Sequence, residues 1–167
     1  MIDIALLIVF PALMAYAAAS DLLTMTIPNE LSLALVGAFA VFAILAGLPL
    51  AVVLMHVAAC ALVLCVCFGL FAFGWIGGGD AKLAAATAMW VGFDQLPNYL
   101  VVASLFGGIL TIAILRFRMM PLPAALANQE WAQRLHRMDT GIPYGIALAL
   151  AALMIYPDTP WMKSLVL

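Results

Sequence analysis

Charge is scarce in this chain. Only 8% of its 167 residues are Asp, Glu, Lys or Arg, whereas a water-soluble domain carries about a quarter, because its surface must be solvated. A soluble globule is therefore excluded. The shortage is also uneven, since the 49 residues between Glu30 and Asp80 include no acidic or basic side chain. As a single helix rising about 1.5 Å per residue, that stretch would exceed roughly 70 Å. Two bilayer cores of about 30 Å fit inside that length, so the stretch has to fold back on itself.

Other absences narrow the class. Apolar runs without period-two alternation exclude an outer-membrane barrel. A net charge of −2, with no basic stripe interleaved with aromatics, argues against a nucleic-acid partner. Cys60, Cys65 and Cys67 lie in one apolar run and form no Cys-x-x-Cys pair. Neither a zinc site nor a disulfide framework is expected, and no metal or cofactor is called for. The apolar run after Asp3 is not preceded by Lys or Arg, unlike a cleaved signal peptide, and reads as a retained first span.

What is present is a series of apolar segments, so the expected fold is all-α and polytopic, with about six transmembrane helices. The spans read as Ile4 to Ser20 with Pro11 as a kink, Leu31 to Ala46, Leu50 to Phe73, a short Leu83 to Phe93, Leu96 to Leu115, and Pro143 to Tyr156. Gly47-Leu48-Pro49 punctuates the second and third. Arg116, Arg118, Arg134 and Arg137 fall in one connection, which the excess of basic residues marks as cytoplasmic. Counting back, Asp94-Gln95 and Gly47-Leu48-Pro49 lie outside, while Asp21 to Glu30 and Gly74 to Lys82 lie inside. Lys82 agrees with this sidedness; Lys163, near the outside C-terminus, votes against it. The whole chain, 1–167, then forms one transmembrane domain with a cytoplasmic loop at about 116–142. In that loop Trp131, Leu135 and Met138 stand at helical spacing opposite Arg134 and Arg137, a pattern that suits a helix in the interface as well as it suits a solvated loop.

This topology puts Asp21 and Asp80 at the cytoplasmic ends of two spans, at one depth. Two carboxylates that meet in a partly dehydrated cleft do not both ionise cheaply, so one keeps a proton. The result is a general acid beside a general base, able to activate water for attack on an amide. Plainer readings compete. Asp80 follows Gly77-Gly78-Gly79 and precedes an apolar run, which suits a helix N-cap. Asn29, after Ile27-Pro28, suits another, and Asp21 reads as a solvated span end. His56, mid-span, reads as a hydrogen-bonded interior residue rather than a proton relay. Phosphate-loop and dinucleotide patterns fail, because Asp80 and Lys82 occupy positions that need Lys and Gly.

Two motifs carry a resemblance. Ser20-Asp21-Leu22-Leu23-Thr24-Met25-Thr26-Ile27-Pro28-Asn29 resembles the first signature of the type IV prepilin peptidases, an Asp at a span end followed shortly by Ile-Pro-Asn. Gly77-Gly78-Gly79-Asp80-Ala81-Lys82-Leu83 resembles their second, Gly-x-Gly-Asp-x-Lys-Leu. Pro143-Tyr144-Gly145-Ile146-Ala147 is similar to a stretch near the family's last span. The resemblance implies a membrane aspartic endopeptidase of the GxGD type, in the bacterial inner membrane, that removes the leader of prepilins or pseudopilins at the cytoplasmic face. It carries the catalytic pair onto Asp21 and Asp80. Gly77 and Gly79 match the motif glycines, and suggest close backbone approach to the cleft and turn conformations closed to other residues. Lys82 matches the motif lysine, positioned to orient a carboxylate or meet lipid phosphate, and Pro28 and Asn29 shape the site.

The chain departs from many family members in lacking a cysteine-rich cytoplasmic region, so neither zinc nor methylation of the new pilin N-terminus is expected. The compact form looks like the peptidases of Flp, or tight-adherence, pilus systems. Leu22 to Thr26 is apolar where relatives often carry basic residues. Partners would be the prepilin, the lipid bilayer and pilus-assembly proteins. The alternative is a small ion-coupled transporter or pilus-assembly scaffold whose aspartates bind a cation or cap helices, though no paired half-repeats support it. A presenilin-like protease that cuts within a transmembrane helix also shares Gly-x-Gly-Asp.

Overall fold

The computed structural model describes residues 2–166, with side chains described over 5–163. Seven α-helices fill the described chain: α1 Ile2–Thr24, α2 Asn29–Leu45, α3 Leu50–Ala72, α4 Gly78–Met119, α5 Glu130–His136, α6 Tyr144–Ile155 and α7 Pro160–Val166. No strand occurs among the described residues. Over Ala5–Thr24, Leu50–Ala72 and Gly78–Met119 the helices are long and apolar enough to cross a membrane, and α2 is a shorter apolar helix. These features mark an all-helical membrane protein.

The first three expected spans correspond to α1, α2 and α3. Helix α1 continues through Pro11 without a break and carries Asp21 inside its last turn, so Asp21 is helical rather than past the helix end. The fourth and fifth expected spans form one 42-residue helix, α4, interrupted at Gly92. The turn expected at Asp94-Gln95 is instead made at Gly92, whose φ of 65° and ψ of 175° belong to a region that only glycine enters freely. Asp80, Ala84, Leu100, Ala103 and Arg118 all line one cavity, although in a straight helix Asp80 and Arg118 would stand roughly 57 Å apart. Helix α4 is thus folded back on itself.

The consequence for packing is large. From Ala81 to Gly92 every residue except Lys82 is buried, so the first arm of α4 is the central element of the molecule. This explains its shortness in the sequence: a segment surrounded by helices does not need a lipid-facing coat of bulky side chains. Helix α4 packs on both α3 and α6, and α6 buries Gly145, Ala147, Ala149, Ala151 and Ala152. Small residues let helix backbones approach closely where lipid removes the hydrophobic drive between helices.

Aromatic rings gather at the end nearest Gly92, beside a second cavity of about 760 Å³ lined by His56, Gly92 and Trp161. Phe10, Phe39, Phe42, Trp90, Tyr156 and Trp161 form one ring cluster. The carbonyls of the turn before the break need partners outside the helix ladder, and they find them. His56 donates from Nδ1 to the Met89 carbonyl at 2.7 Å, and Trp161 donates from Nε1 to the Trp90 carbonyl at 3.1 Å. His56 is therefore a hydrogen-bonded interior residue, as its sequence setting suggests. Trp161 comes from α7, an element the hydropathy pattern does not reveal.

A Cβ on Gly92 would lie 2.9 Å from His56 Cε1, on top of the conformational strain. Gly92→Ala is expected to cost about 1–3 kcal/mol and to lower the thermal midpoint in detergent. Gly108→Ala, where nothing lies within 4 Å of the added carbon, should leave the midpoint unchanged or raised. Equal effects at both positions would remove the backbone argument.

Candidate active site

The site is assembled from three chain segments. In the first, α1 ends just beyond Asp21, whose carbonyl accepts from the Met25 amide at 2.8 Å. Met25 has φ of 57°, the left-handed residue that commonly closes a helix and is more often glycine. Hydroxyls secure the turn that follows: Ser20 Oγ donates to the Thr26 carbonyl at 2.9 Å, and Thr24 Oγ1 to the Ser20 carbonyl at 2.7 Å. The chain then places Ile27 inward, before Pro28 at the N-cap of α2. Asn29 is the first residue of that helix rather than its cap, so the expected capping role passes to a proline that supplies no side-chain bond.

The second segment is Gly77-Gly78-Gly79-Asp80. Helix α4 starts at Gly78 with Gly77 as N-cap, which sets Asp80 at the third helical position. The cap reading of Asp80 is thereby corrected. Its carboxylate lies against the amide of Gly77, at the positive end of the helix dipole. A Cβ on Gly77 would come within 2.8 Å of Asp80 Oδ2, and one on Gly79 within 3.2 Å of Ile27 Cβ. The glycines therefore serve close approach. Gly77 has φ of −73°, so it does not use a turn conformation closed to other residues; that conformation is taken by Gly74 in the preceding turn, at φ 74°.

The third segment is the start of α6. The Gly145 amide donates to Asp21 Oδ2 at 2.6 Å, a charge-assisted bond that fixes the carboxylate's direction. A Cβ at position 145 would lie 2.7 Å from that same oxygen and 2.7 Å from Ile27 Cδ1. Gly145 belongs to a quoted motif, but its donor role is not readable from sequence. The only hint is its place after Pro143-Tyr144, where a helix start leaves amides free.

Asp21 is buried, with 5% of its surface exposed, and Asp80 is partly buried. Both line a cavity of about 860 Å³, together with Met25, Cys67, Leu70 and Tyr144, and they lie within electrostatic range of each other. Two carboxylates therefore face one half-open, mostly apolar space at the end of the molecule opposite Gly92. Arg118 lines the same cavity.

Among the described residues Lys82 forms no ion pair with a carboxylate. Its Nζ donates to Asn29 Oδ1 at 2.8 Å, which ties the Ile-Pro-Asn turn to the Gly-x-Gly-Asp helix. Asn29 alone makes that tie, with Pro28 standing before it as the N-cap of α2. Among the described residues no group of three or more His, Cys, Asp or Glu side chains gathers as metal ligands.

The geometry defines a helical membrane protein with two carboxylates lining one cavity. The chain belongs to the type IV leader peptidase family, whose model matches residues 8–112. That span contains Asp21, Asp80 and the lysine–asparagine tie. The chain finds no significant match among curated proteins, nor among solved structures.

The tie is open to a double-mutant cycle. Asn29→Ala and Lys82→Ala should each lower unfolding stability, by about 0.5–1 kcal/mol for a charged hydrogen bond exposed to solvent. The double variant should be hardly worse than either single. Full additivity would mean that the two side chains do not act as a pair.

Proposed function

We propose that this chain is a membrane aspartic endopeptidase that cuts the leader from type IV or Flp prepilins or pseudopilins, using Asp21 and Asp80 as its acid–base pair. The observation that carries the reading is the shared cavity, with Asp21 aimed into it by the Gly145 amide. One aspartate, ionised, takes a proton from water as the water oxygen attacks the scissile carbonyl. The tetrahedral intermediate collapses, the C–N bond breaks, and the other aspartate delivers its proton to the leaving amine. The pair titrates as a unit, so the roles of base and acid belong to the pair.

The same reading sets the chain as a single multi-pass domain in the bacterial inner membrane, with the folded-back α4 supplying two passes. Arg116 and Arg118 end α4 beside the cavity, and Arg134 follows in the connection. Basic residues at this end support a cytoplasmic position for the aspartates. A prepilin has a basic leader, a Gly before the cut and an apolar helix after it. An apolar, partly open cavity at a membrane surface suits that junction, with the helix left in lipid.

Cleavage of a Flp-type prepilin by the detergent-purified protein, read by product mass, tests this. A single cut after the leader Gly is expected, and Asp21→Asn and Asp80→Asn should each slow it by roughly a thousandfold or more while the protein stays folded. Rate against pH should be bell-shaped, as for a pair in which one group gives and the other takes a proton. Substantial cleavage by both single variants would sink the mechanism. Unchanged pilin length with altered ion flux would instead favour a transporter, and a cut inside the transmembrane helix a presenilin-like protease.

A further inference from the structure

The connection from α4 to α6 runs past the cavity as a strap, and one side chain holds it there. Arg118 Nε donates to the Leu135 carbonyl at 2.8 Å. Its Nη2 reaches the Thr140 carbonyl and Thr140 Oγ1, each at 3.1 Å, and the Gly141 carbonyl at 2.8 Å. The strap is also stitched to itself and to α1. Thr140 Oγ1 donates to the Arg134 carbonyl at 2.7 Å, and Arg134 Nη1 donates to the Leu23 carbonyl at 2.8 Å. His136 Nε2 closes the other edge on the Met120 carbonyl at 2.8 Å.

These bonds converge on one consequence. Gly141 is followed by Ile142, by buried Pro143, and then by the start of α6, where the Gly145 amide holds Asp21. Leu23, the anchor for Arg134, lies just past Asp21 on the same helix turn. We propose that Arg118 is a positioning residue for Asp21: it latches the strap so that the Gly145 amide stays aimed at the carboxylate. A guanidinium is suited to this because its planar fork serves several carbonyls in fixed directions, which an ammonium does not. The positive-inside pattern accounts for a basic residue near this position, but a purely topological arginine has no need to satisfy the carbonyls of a distant loop.

The inference rests on the peptidase reading for its effect on rate, while the latch itself is testable without activity. In Arg118→Gln, amide exchange across residues 135–145 should rise several-fold, with α3 unchanged as the internal control for folding. In the cleavage assay kcat should fall by tenfold to a hundredfold, the scale expected when a reacting group loses its alignment, with KM within about twofold. Arg118→Lys should be intermediate, and millimolar guanidinium should restore part of the rate to Arg118→Gln but none to Asp21→Asn. A raised KM at constant kcat would make Arg118 a substrate contact, and unchanged exchange across the strap would show that it is not the latch; either result overturns the proposal. If the wild type cleaves no prepilin yet the exchange response appears, the peptidase reading fails and the latch stands.

Discussion

Close approach of backbones is the constraint on which the rest of this molecule depends, and it is met by alanine and glycine where the first arm of α4 packs against α6. Lipid outside the protein is as apolar as its core, so helix association depends on packing and on hydrogen bonds rather than on escape from water. Ala84, Ala85, Ala88, Ala147, Ala149 and Ala151 are each at most 5% exposed, and such small side chains permit contacts at backbone distance. Where α6 meets α1 the same rule holds: a Cβ at Gly145 would lie 2.7 Å from Asp21 Oδ2, so glycine there lets the amide reach the carboxylate. A bulkier interface would leave Asp21 buried without a donor, and a buried polar group without a partner is costly.

Much of the fold could be read from apolar length, and much of the site from motif spacing, but for different reasons each reading stopped short. Hydropathy found α1, α2, α3 and α6 because lipid-facing segments are continuous. It did not reveal α7, which is short and whose Trp161 is turned inward. It divided α4 into two segments, as the break at Gly92 does, yet placed the turn at Asp94-Gln95, because polarity marks solvent and not dihedral angle. Gly92 makes the reversal with its backbone and carries no polar signal. In the same way Asp80 resembles a cap in sequence, and only the start of α4 at Gly78 shows that the helix begins before it.

The site residues divide along a similar line. Asp21 and Asp80 stand out in the sequence as candidates because acid–base chemistry demands their type, and Gly77 and Gly79 because a motif fixes their spacing. Lys82 was legible as a motif member but not as a partner of Asn29, since that bond joins residues far apart in the chain. Gly145 and Arg118 act through backbone groups, as donor in one case and toward acceptors in the other. Any residue supplies a backbone amide or carbonyl, so sequence identity carries almost no trace of such contacts.

The two ends of the molecule are held together differently. At the Gly92 end, rings interlock with centroids 4.4 to 6.3 Å apart, and side-chain donors meet the carbonyls of the broken helix. At the aspartate end a cavity opens between α3 and the second arm of α4, and stapling there is done by Arg118, Arg134 and Lys82 onto carbonyls and an amide side chain. Side-chain hydrogen bonds of this kind are individually modest, but the four from Arg118 act together on one strap. The Gly92 end thus rests on ring contacts and buried donors around a cavity of about 760 Å³, while the aspartate end rests on polar staples around one of about 860 Å³. Elements that accept ligands are drawn from the less stable part of a fold, and here the turn at Gly92 and the cavity lie at opposite ends of the same buried arm.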